Sequence, residues 1–94
     1  MLRIRTQRGM IELADEEANE LRERLRRVPT AQPAEETIAV SANASTSVTF
    51  THAQELAVLD VLALWLNDVG RDQMPDGALA LRNALKAGPL AAAG

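Results

Sequence analysis

Apolar and charged residues alternate at the start of the chain. Leu2, Ile4, Ile11 and Leu13 fall on one side of a two-residue period, and Arg3, Arg5 and Glu12 fall on the other. That period belongs to a half-buried strand. With Arg8-Gly9 at the centre of a tight turn, the segment predicts a β-hairpin. Ile4 then lies opposite Leu13, Thr6 opposite Ile11 and Arg5 opposite Glu12. The period changes after Leu13. Ala18, Leu21, Leu25 and Val28 recur at helical spacing, which predicts a helix from about Asp15 to Arg27 with acids at its start and Pro29 as its stop.

Residues 29–36, PTAQPAEE, carry two prolines and no apolar period, and read as a linker. Beyond them, TIAVSANASTSVTFT returns to alternation: Ile38, Val40, Val48 and Phe50 on one side, small and β-branched polar residues on the other. A loop at Asn43-Ala44-Ser45 turns this into a second hairpin, with Val40 facing Val48 and Ile38 facing Phe50. Thr51-His52-Ala53-Gln54 then forms a capping box. It opens a helix from about residue 52 to Val69, which Gly70 ends. A last helix spans about Pro75 to Lys86 before Gly88-Pro89.

The expected fold is therefore α+β and two-layered. It has a four-stranded antiparallel sheet made of two β-hairpins, with two to three helices on one face, in the order ββα-ββα-α. Residues 1–88 make one domain, with 29–36 as an internal linker and 89–94 as a flexible tail.

The helix at 56–69 changes the picture. Leu59, Leu62, Leu66 and Val69 form one apolar stripe, and Val58, Val61 and Trp65 form another. An amphipathic surface helix needs only one stripe, a little over 100° wide. With the first stripe on the sheet, the second calls for a further cover. Val58, Val61 and Trp65 are accordingly the expected contact with another chain, with Trp65 as anchor and a symmetric homodimer as the assembly.

Composition narrows the chemistry. The formal net charge is −3, and an acidic balance argues against non-specific nucleic-acid binding. Residues 1–30 nonetheless hold seven arginines against six acids. Arg3, Arg5 and Arg8, on the outer face of the first hairpin, are the candidate nucleic-acid contacts in an alternative reading. Nine of the ten basic residues are arginine, a usage associated with GC-rich bacterial genomes. There is no cysteine, which removes disulfides and thiolate chemistry and fits a reducing cytoplasm. No apolar run reaches the roughly 20 residues of a membrane span, and Met1 opens no apolar leader.

No catalytic, metal or cofactor motif emerges. His52 is the sole histidine, placed where a helix dipole disfavours positive charge. Ser45, Ser47 and Thr49 near His52 and Asp60 follow turn and strand propensity without a nucleophile elbow. Asp68, Asp72 and Asp76 recur every four residues, but Gly70 and Pro75 break any single helix through them. Arg22, Arg24, Arg26 and Arg27 sit among glutamates at a helix C-terminus, a dipole-matched solvated face. The expected function is a small non-enzymatic module that binds or scaffolds a protein partner and self-associates through the 56–69 helix. The alternatives are the nucleic-acid-binding regulator and a small enzyme with its site at a subunit boundary.

Overall fold

A computed structural model describes the backbone of residues 1–6, 8–44 and 47–93; the side chains of residues 43, 44 and 87–93 lie outside that description. Two strands, β1 (Leu2–Thr6) and β2 (Gly9–Leu13), lead into α1 (Asp15–Arg26). A 3₁₀ turn at Pro29–Ala31 runs into α2 (Gln32–Ala44). The short β3 (Val48–Thr49), α3 (His52–Val69) and α4 (Asp76–Ala93) follow.

The first hairpin forms as its alternation requires, but two residues out of the expected register. Ile4 pairs with Ile11, Leu2 with Leu13, Arg3 with Glu12 and Thr6 with Gly9. A shift of two preserves every side chain's face, so the apolar pattern tolerates it. Turn chemistry decides the register. Gly9 adopts φ +106°, a conformation that residues with a Cβ rarely take. Thr6 Oγ1 donates to Gly9 O at 2.7 Å and accepts from Arg8 N at 3.1 Å.

The four-stranded antiparallel sheet is not formed. Among the described residues the sheet has three strands in the order β2-β1-β3, and β3 lies parallel to β1, with Ile4 beside Val48. The second hairpin is replaced by α2 and β3, and the expected linker at 29–36 becomes the 3₁₀ turn and the first turn of α2. Of the expected loop, Asn43 and Ala44 end α2, and Ser45 lies outside the described residues. The physical reason is burial at helical spacing. Ala31, Ala34, Ile38 and Ser41 all point into the protein, a stripe that alternation from Thr37 onward conceals. Val40, expected inside against Val48, is 68% exposed. The order is thus ββααβαα, a mixed α+β fold.

One apolar core joins the sheet to the helices. Leu2, Ile4, Leu13 and Val48 from the strands, with Phe50 just after β3, meet Leu21, Leu25, Ile38, Leu62, Leu81 and Leu85. α4 packs against β2 and α3, while α3 also touches α1, α2 and the 3₁₀ turn. α4 does not stop at Lys86 but continues through Gly88-Pro89 to Ala93.

Candidate interaction surfaces

α3 begins where its capping box predicts. Thr51 Oγ1 accepts from Gln54 N at 3.1 Å, and Gln54 Oε1 accepts from Thr51 N at 2.9 Å. Gln54 Nε2 also donates to Thr37 Oγ1 and Pro33 O, at 3.0 and 3.3 Å. One side chain therefore caps α3 and fastens it to α2. Those bonds are made in the same rotation of α3 that buries Val58, Val61, Leu62 and Trp65.

The inward stripe is the one expected to face another chain. Val58, Val61 and Trp65 lie with Leu62 in the core of the chain itself, Trp65 only 3% exposed. The Arg24 guanidinium lies over the Trp65 ring, 5.0 Å from its centroid. Arg24 is held there by Glu20 at 2.8 Å and Asp68 at 3.2 Å. The cover is supplied within the chain, where α1, α2, α4 and the 3₁₀ turn all pack on α3. Leu59, Leu66 and Val69 are partly buried. The outward face of α3 carries Ala53, Leu56, Asp60, Ala63, Leu64 and Asn67, all exposed, with Leu56 at 45% and Leu64 at 59%. Periodicity alone ranks these below Trp65, because two apolar stripes compete for the interior and tertiary packing chooses between them.

The outer face of the sheet is open. Arg3 and Arg5 of β1, Met10 and Glu12 of β2 and Thr49 of β3 all point to solvent. Arg3 Nε meets Glu12 Oε2 at 3.1 Å. Arg5 and Arg8 are exposed and make no ion pair among the described residues. The arginines of α1 are committed elsewhere. Arg22 and Arg26 both reach Glu35 Oε1, at 3.1 and 3.2 Å, and tie α1 to α2 around a largely buried carboxylate.

Two concavities lie near these surfaces. A cleft of about 630 Å³ opens between the N-terminal end of β1, α1 and α2, with Arg3, Asn19, Arg22, Ser41 and Ser47 in its polar lining. At its rim the Met1 amine lies 2.6 Å from Asp15 Oδ1. That hydrogen bond, with the charge of the amine, holds the Asp15 carboxyl below its ordinary range. A shallower groove of about 360 Å³ runs along Pro33, Glu36, Thr37, Val40 and Gln54. His52 is exposed on the first turn of α3 and lines neither. Asp60, Asp68, Asp72 and Asp76 are exposed, and among the described residues no group of three acids or histidines could hold a metal. No described helix is long and apolar enough to cross a membrane.

Comparison with known proteins returns no match to a family model, a curated protein or a solved structure.

Proposed function

We propose that this chain is a small non-enzymatic interaction module of the cytoplasm that self-associates through α3, using the outward face of that helix. The observation that carries this reading is the uncovered apolar row at Leu56, Ala63 and Leu64, on a helix whose opposite side is already buried. Each half-exposed leucine forgoes on the order of 1 kcal/mol of burial free energy. A second copy supplies that burial with no other component. The test is light scattering across a concentration series reaching about a millimolar, since a small interface dissociates on dilution. The expected result is a mean mass that climbs from monomer toward dimer. The Leu56→Asp/Leu64→Asp variant stays monomeric with unchanged helicity, because both positions are exposed. A wild-type mass fixed at the monomer over the whole range overturns the proposal.

A second reading has one observation in its favour. Arg5 and Arg8 stand exposed, with no ion pair among the described residues, at one end of an open sheet face, so a phosphate backbone is the alternative occupant. It predicts binding to duplex DNA at low salt that weakens steeply with added salt and disappears in Arg5→Ala/Arg8→Ala. An unshifted duplex at low salt ends this reading.

A further inference from the structure

We infer that the cleft between β1, α1 and α2 binds a small organic anion, a carboxylate or phosphate ester with an apolar body. The inference stands apart from the self-association proposed above, because no residue of α3 lines this cleft. Its volume of about 630 Å³ falls within the roughly 300–1,000 Å³ of small-molecule sites.

Hydrogen-bonding capacity selects the charge of the occupant. Arg3 enters from β1, Asn19 and Arg22 from α1, Ser41 from α2, and Ser47 from just before β3. Arg3 gives its Nε to Glu12, and Arg22 turns its Nε and Nη2 to Glu35. Among the described residues, both Nη groups of Arg3 and Nη1 of Arg22 donate to no protein acceptor. The one carboxylate in the lining, Asp15, is held by the Met1 amine. Surplus donors call for acceptor oxygens, and guanidinium groups take carboxylates and phosphates in strong charge-assisted bonds. Leu2 and Ile38 add apolar wall, which suits an occupant with a hydrocarbon part.

Ser41 supplies a second, independent observation. It is 9% exposed, and its hydroxyl makes no hydrogen bond among the described residues. Thr37, one turn earlier on α2, gives its hydroxyl to Pro33 O at 3.0 Å; Ser41 makes no equivalent bond. A buried hydroxyl without a partner is costly. Ser41 borders both the cleft and the shallower groove. Only the cleft carries cations, since the one charged residue of the groove is Glu36. An anion seated in the cleft provides the acceptor that Ser41 lacks.

The test titrates the ¹⁵N-labelled full chain with sodium hexanoate and with hexyl phosphate, using 1-hexanol as the uncharged control. Amide shifts centred on Asn19, Arg22, Ser41 and Ser47 are expected to saturate in the millimolar range, as ligands this small bind, and hexanol leaves them unmoved. Tighter binding of hexanoate assigns a carboxylate, tighter binding of hexyl phosphate a phosphate ester, and either supports the site. Ser41→Ala places a good helix former in α2, so it keeps the fold, and it is expected to raise the dissociation constant about tenfold. Arg3→Gln, at an exposed position, is expected to act in the same direction. No shift with either anion up to about ten millimolar overturns the inference. So do equal effects of hexanol, shifts confined to residues 5–8, or unchanged constants in both variants.

Discussion

Arg24 joins three partners at once: it stacks on Trp65, bonds Glu20 one turn back on its own helix, and reaches Asp68 at the end of α3. Its planar guanidinium can do all three, whereas the point charge of a lysine cannot. Arg24→Lys is expected to cost about 1 kcal/mol, from the lost cation–π contact and the weakened bonds. Urea unfolding followed by the fluorescence of Trp65, the sole tryptophan, measures it; an unchanged midpoint would show the stacking to be ornamental. Beneath it, Trp65→Ala removes a buried aromatic and is expected to cost about 3–5 kcal/mol. A domain of this size has a comparable total stability, so circular dichroism should show that variant largely unfolded at 37 °C. Any change in its solution mass then reports unfolding, and only exposed positions such as Leu56 and Leu64 probe association.

Two helix starts share one carboxylate. Glu17 accepts from Ala14 N at 2.9 Å and from Gly77 N at 3.0 Å, in the first turns of α1 and α4. Ala14 has no side-chain acceptor, so only this half of a capping box forms at α1. A Cβ on Gly77 would lie 2.8 Å from both Glu17 carboxylate oxygens and 2.9 Å from Leu13 Cδ2. Gly77→Ala gains roughly 1 kcal/mol of helix propensity. It loses a charge-assisted bond of about 1.5–3 kcal/mol and crowds a buried leucine. The expected outcome is a net loss of about 1 kcal/mol or more, read as a lower melting temperature; a higher one would mean that propensity wins. At this scale the sequence was legible wherever local chemistry decides. The capping box of α3, Gly70 at its end and the acid-rich start of α1 all stand where the sequence places them. α2 was not legible, because Thr37 to Ala44 satisfies both periods. Ile38 and Val40 alternate as in a strand, and Ala31, Ala34, Ile38 and Ser41 recur as in a helix. Packing against α1 and α3 settles the choice. The signal that could have found it is Pro33 followed by Glu35 and Glu36, a helix-start pattern.

At the scale of the molecule, losing one helix to a strand reading misplaced both the sheet and the candidate contact. Read without α2, α3 has one helical neighbour fewer, and Val58, Val61 and Trp65 look like a surface for another chain. In the fold α1, α2, α4 and the 3₁₀ turn all pack on α3, that stripe is buried, and the uncovered remainder is the opposite face. The sheet itself has a consequence in time. β1 gains its first neighbour across a tight turn, but its second only from Val48, about 44 residues later. During synthesis the central strand therefore emerges early and keeps one edge open while α1 and α2 are made. Its closure is a long-range event, as is the later packing of α4 on β2, and such events are the slow ones. The shortest nascent chain able to close the sheet ends just past Thr49. A pause or a cut before that point leaves Ile4 beside a bare edge, in a form prone to pair with another strand.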